Sequence, residues 1–100
     1  MRVMLRAHID TTAGNEALKS GSLQRTMEKL LKALQPEAAY FGLSEGVRSC
    51  WIVFDMDDSA SLPPVLEGLF MELGAEIEVA PVMDREGLER GLKAMAATPG

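Results

Sequence analysis

One histidine stands in the chain, and the residue types near it are those that handle small anionic or aromatic molecules. His8 alternates with Arg6 along the segment Val3 to Ile9, so a strand there turns both side chains to one face. Histidine can exchange a proton near neutral pH without a large shift, which makes His8 the first candidate for a catalytic acid or base. Arg6 offers a planar fork of donors to a carboxylate or enolate. Asn15 and Lys19 are four residues apart, so a helical turn would set an amide and a cation on one side, able to stabilise an oxyanion. Tyr40 and Arg48 flank a hairpin turn and fall on one face by parity; the tyrosine ring with its hydroxyl suits an aromatic or carbonyl ligand. Trp51, Phe41 and Phe70 would line an apolar cavity between sheet and helices.

Each candidate has an ordinary structural alternative. His8 can be a neutral, hydrogen-bonded residue near a strand end or a dimer seam. Arg6 can pair with Glu78 on a neighbouring strand, where burying either charge alone would be expensive. Tyr40 can pack at an edge, Trp51 in a core, and Asn15 and Lys19 can serve capping and solvation. Cys50, the single cysteine, reads as a small buried hydrophobe. Asp55, Asp57 and Asp58 lack the glycine and terminal glutamate of a calcium loop and suit the positive end of a helix instead. With one histidine and no carboxylates at ligand spacing, no metal site is expected. No phosphate loop, serine elbow or dinucleotide fingerprint occurs, so no cofactor is expected either.

Positioning these groups falls to a structural phrase that the chain states twice. Val3 to Ile9 lead to a helix from Ser22 to about Gln35, then through Pro36 to a strand at Ala38–Leu43; Val47 to Met56 lead to a helix ending at Leu73, then through Gly74 to a strand at Ala75–Met83. An extra turn of helix at Asn15–Ser20, closed by Gly21, lengthens the first connection. Leu23, Met27, Leu30, Leu31 and Leu34 make one helical stripe; Val65, Leu66, Leu69, Phe70 and Leu73 make the other. A last helix begins near Asp84 and carries Leu88, Leu92 and Met95, with residues 96–100 expected as a flexible tail. The result is a single α+β domain over residues 1–100, a βαββαβ sandwich with an antiparallel sheet in the order 4-1-3-2 and a C-terminal helix.

Alternation sorts the strands into two faces. One carries Val3, Leu5, Ala7, Ala39, Phe41, Trp51, Val53, Ile77 and Val79; the other carries Met4, Arg6, His8, Tyr40, Cys50, Ile52, Phe54, Glu78, Ala80 and Val82. Helices cover only one face. The other is apolar enough to need a cover and polar enough to hold a ligand, so two sheets are expected to stack in a two-fold homodimer. Composition agrees: 47% of residues are hydrophobic but only 5% aromatic, a supply that exceeds what one small two-layer domain hides. The net charge of -5 and the absence of any long basic run exclude nucleic acid as a partner. No apolar run approaches a membrane span, and the charged amino terminus is unlike a signal peptide, so no membrane partner and a cytoplasmic location are expected.

The opening Met1-Arg2-Val3-Met4-Leu5-Arg6-Ala7-His8-Ile9-Asp10, the block Pro36-Glu37-Ala38-Ala39-Tyr40-Phe41, the segment Val53-Phe54-Asp55-Met56 and the stretch from Phe70-Met71-Glu72-Leu73 to Pro81-Val82-Met83 carry a resemblance over nearly the whole chain. The sequence is similar to an uncharacterised bacterial family of the dimeric α+β barrel superfamily, whose ferredoxin-like domains pair into a barrel. The resemblance implies that fold and that pairing, and it transfers no catalytic motif. Three functions follow as expectations: a small-molecule-binding dimer, a cofactor-independent isomerase or monooxygenase acting on a small acidic or aromatic metabolite, and an assembly module without a pocket. A cavity of at least about 300 Å³ reached by His8 would separate the first two from the third.

Overall fold

The computed structural model describes residues 1–98. Its strands are β1 (Arg2–Ile9), β2 (Ala38–Ser44), β3 (Val47–Asp55) and β4 (Ala75–Pro81); its helices are α1 (Thr11–Ser20), α2 (Ser22–Leu34), α3 (Leu62–Leu73) and α4 (Arg85–Ala97). The four strands form one antiparallel sheet in the order β2-β3-β1-β4, the ferredoxin-like arrangement that the duplicated phrase predicts. Pro81 closes the edge strand β4, where a missing amide hydrogen is tolerated.

Local chemistry sets the boundaries. Asp10 accepts a hydrogen bond from the Ala13 amide and so starts α1 four residues before the expected Asn15. Gly21 adopts a left-handed conformation that ends α1 and turns the chain directly into α2. Gln35, left-handed ahead of Pro36, ends α2. Glu45 and Gly46 both have positive φ, the two-residue turn whose twist matches the β2–β3 hairpin. Asp58 caps a short turn at Ser59–Ser61, and Pro63 and Pro64 occupy the first turn of α3. Ala96 and Ala97 continue α4 rather than opening a tail; Pro99 and Gly100 of that expected tail lie outside the described residues.

The core forms where α1, α2 and α3 cover one sheet face. Val3, Leu5, Ala7 and Ile9 of β1 meet Cys50, Ile52 and Phe54 of β3, Ala75 of β4, and Ala17, Leu30, Leu69 and Leu73 of the helices. The pairing corrects the expected parity of β3. Leu5 stands opposite Ile52 and Arg6 opposite Trp51, so Cys50, Ile52 and Phe54 belong under the helices, while Trp51 and Val53 lie on the open face. The other three strands keep their expected faces, with Ala39 opposite Ile52, Tyr40 opposite Trp51 and Glu78 opposite Arg6. The open face therefore presents Met4, Arg6, His8, Tyr40, Ser49, Trp51, Val53, Glu76, Glu78 and Ala80.

Candidate functional site

Arg6 and His8 reach the open face from the central strand β1, two residues apart, and Trp51 and Ser49 face them from β3. Leu5 and Ala7, sunk in the core on the other side, hold that part of β1 rigidly. The Trp51 indole lies beside Gly42 of β2, with a ring carbon at van der Waals distance, 3.6 Å, from where a Cβ would stand. Tyr40, directly opposite Trp51, extends the aromatic surface and is 68% exposed.

The Arg6 guanidinium is held loosely. Its Nη2 lies 3.4 Å from the Ser44 hydroxyl and its Nη1 4.0 Å from a Glu78 carboxylate oxygen, while its Nε is buried without a hydrogen-bond partner. The expected Arg6–Glu78 pair thus exists only at the limit of ionic contact, between side chains with ample solvent access, and contributes little to stability. The ungratified Nε is the more informative feature, since a buried donor without a partner is costly and rare.

His8 Nδ1 sits 3.1 Å from the hydroxyl of buried Ser49, and that hydroxyl also lies 3.1 Å from the Val47 carbonyl. A hydroxyl has one hydrogen. Both bonds form together when Ser49 donates to Val47 and accepts from an Nδ1–H of His8, which in the neutral ring leaves Nε2 as the basic nitrogen. A cleft of about 300 Å³ opens beside His8 at the end of the sheet, lined also by Asp10, Thr11, Glu45, Val47, Gly74 and Glu76. Its three carboxylates disfavour a second anion there. A broader furrow of about 760 Å³ runs between α2 and α3 on the outer surface, but it is bordered by solvent-facing side chains such as Arg25, Lys29 and Glu72 and reaches none of the candidate residues.

The remaining candidates lie elsewhere. Arg48 falls on the helix-covered side of β3, not beside Tyr40, and its Nη2 donates to Asn15 Oδ1 at 3.0 Å. Gly14 makes room for this contact: a Cβ there would stand 2.7 Å from an Arg48 guanidinium nitrogen. Asn15 is thus engaged by Arg48, and Lys19 lies 3.6 Å from Glu16 on the exposed side of α1, so neither closes over His8. Trp51 and Phe41 are on opposite faces of the sheet, and Phe70 sits half-exposed on α3, so the three do not form the expected cavity. Cys50 is buried, and burial pushes its thiol pKa up, against any role as a nucleophile. Asp55 pairs with the α-amino group of Met1, whose hydrogen bond and charge hold its carboxyl below the usual range, and Asp58 is a cap. Among the described residues no group of histidine, cysteine and carboxylate side chains could hold a metal ion, and no helix is long and apolar enough to cross a membrane. Ser49 is the residue that sequence reasoning missed. Its signal was faint, a serine whose alternation puts it across from His8 once the register is known.

No family model and no curated protein matches the chain. Among solved structures it is similar to the de novo designed protein Ferredog-Diesel, at 10% identity over 81% of this chain and 85% of that one, with a TM-score of 0.48. It is also similar to protein Atu4242 from Agrobacterium tumefaciens, at 12% identity over 85% and 96% of the two chains with a TM-score of 0.47. A third likeness is to MupZ from Pseudomonas fluorescens, at 22% identity over 95% and 80% with a TM-score of 0.42. These likenesses carry nothing about function. The ferredoxin-like assignment stands on this chain's own strand order and pairing, which is the broadest kinship that its structure establishes.

Proposed function

We propose that the protein is a homodimer that binds a small aromatic monocarboxylate on the open face of its sheet. The carboxylate is taken by Arg6 and the ring by Trp51 and Tyr40, while a second copy stacks on the same face to close a barrel around the ligand. The observation that carries the reading is the Arg6 guanidinium, with its buried, unpartnered Nε and two long polar contacts, directly across from an indole. A bidentate carboxylate supplies what that group lacks. The acidic cleft beyond His8 limits the ligand to one carboxylate. The half-buried apolar side chains of Met4, Trp51 and Val53, with exposed Tyr40 beside them and no helix over that face, support the second copy.

Trp51 is the only tryptophan, so its fluorescence reports the site directly. Benzoate is the probe. The expected result is a saturable change that Arg6→Gln abolishes and Lys19→Ala leaves intact. Fluorescence that does not respond to benzoate, or responds equally in Arg6→Gln, overturns the ligand assignment. A second reading, proton transfer to or from such a ligand, is supported by the Ser49 contact that leaves His8 Nε2 basic.

A further inference from the structure

Helix α4 buries none of its residues, and its stripe of Leu88, Leu92 and Met95 lies open to water. Its length is 13 residues and it contains Gly87 and Gly91. A helix of that size and composition does not hold in water without a surface to lie on, because nucleation is costly and glycine is a poor helix former. The root of α4 is nonetheless fixed. Asp84 accepts from the Gly87 amide at 2.8 Å and pairs with Arg2 at 3.1 Å, and the Val82 amide donates to the Arg2 carbonyl.

The whole chain has the dimensions of a body with an arm. Its radius of gyration is 16.3 Å, against about 13 Å for a compact chain of this length. It exposes 6855 Å², where a compact monomer of its mass would expose roughly 5,500 Å². The excess, roughly 1,300 Å², is larger than the about 800 Å² that each partner contributes to a standard stable interface.

A matching bare patch lies at the opposite edge of the sheet. Phe41 and Leu43 of β2 project on the helix side, yet the helices do not reach them, and they are 56% and 75% exposed. A chain's own α4 cannot cover this patch. It leaves from β4, three strands away, and α2 and α3 occupy the face between. A two-fold axis running along the strands of two face-to-face sheets sets the β4 edge of one beside the β2 edge of the other, where each arm meets the other's patch.

We infer that α4 is an exchanged arm: its Leu88–Leu92–Met95 stripe packs on Phe41 and Leu43 of a second copy of this chain. The inference rests on the homodimer proposed above and adds what secures it, a reciprocal helix supplying the cover that edge strand β2 lacks. The partner's arm then wraps the β2 edge and lies on the side of that strand opposite Tyr40.

The test uses the full chain in a Cys50→Ala background. Leu43→Cys and Leu92→Cys are made separately, mixed in equal amounts and treated with a short bis-maleimide, alongside sedimentation of the unmodified chain. The expected result is a cross-linked species of two-copy mass formed in the mixture, and association weakened at least about tenfold by Leu88→Ser with Leu92→Ser. A two-copy particle that yields no cross-link, or that associates undiminished with both leucines replaced, overturns the exchanged arm and leaves the homodimer standing. A single-copy particle at micromolar concentration overturns both.

Discussion

At the residue scale the pair His8–Ser49 makes a statement about protons that an ordinary spectrum can check. Ser49 is buried and directs its hydroxyl to the Val47 carbonyl, so it can only accept from His8. The neutral ring is accordingly held with its hydrogen on Nδ1, the less common form of free histidine. Nitrogen-15 NMR of the single histidine is expected to show the Nδ1–H tautomer above pH 8, and Ser49→Ala is expected to shift it to Nε2–H. A spectrum dominated by Nε2–H in the unmodified protein would show that Ser49 donates to the ring instead. Arg6 is legible in the sequence as a cation on the same face as His8, because β1 alternates cleanly between apolar and polar residues. Its unsatisfied Nε is not, since that depends on how far Ser44 and Glu78 stand from the guanidinium. Asn15 and Arg48 fall in separate groups by sequence pattern, because their contact crosses from a helix to a strand 33 positions away and no local pattern encodes it.

At the scale of elements, strand β3 explains where the sequence misled. Cys50, Ile52 and Phe54 alternate with Trp51 and Val53, apolar on both sides, so the strand itself does not say which set faces inward. Only its pairing with β1, whose polar positions are Arg6 and His8, decides. Element ends were more readable, because each depends on one or two residues. Gly74 ends α3 with φ of 55°, and a Cβ there would stand 3.2 Å from the Asp10 Cβ. Gly74→Ala is therefore expected to lower unfolding stability by about 1–2 kcal/mol from the left-handed backbone alone, with the crowding at Asp10 adding to it; an unchanged urea midpoint would mean that the turn relaxes. The start of α4 is a cap that responds to pH. Asp84 accepts from the Gly87 amide and, secondarily, pairs with Arg2, so its carboxyl titrates below the ordinary value of 3.8. A lowered pKa in the folded state means that the cap is intact above the ordinary carboxylate range and fails as pH falls through the lowered value. The Gly87 amide shift should follow that transition, with its midpoint below 3.8; a midpoint at or above it would contradict the hydrogen bond.

At the scale of the whole molecule, the same sheet has one finished face and one unfinished face, and the difference should appear in how stability depends on concentration. Ile52 is fully buried under the helices, and Ile52→Ala is expected to cost about 2–5 kcal/mol at any protein concentration because the cavity lies within one chain. Trp51, one residue along the strand, points the other way and is half-buried in the single chain, so in the proposed homodimer a second copy completes its burial. A partner that binds only the folded chain raises the melting temperature as the protein is concentrated, by mass action. The unmodified chain is therefore expected to melt higher at 100-fold greater concentration, and Trp51→Ser to remove that dependence while keeping the native circular dichroism at low temperature. In the proposed homodimer the two neighbours separate the two roles of the sheet: Ile52 holds a subunit together and Trp51 joins subunits. A melting temperature that is independent of concentration in the unmodified protein would leave Trp51 in water. The open face would then be a surface that the chain keeps bare, and the shared site built on it would have no second wall.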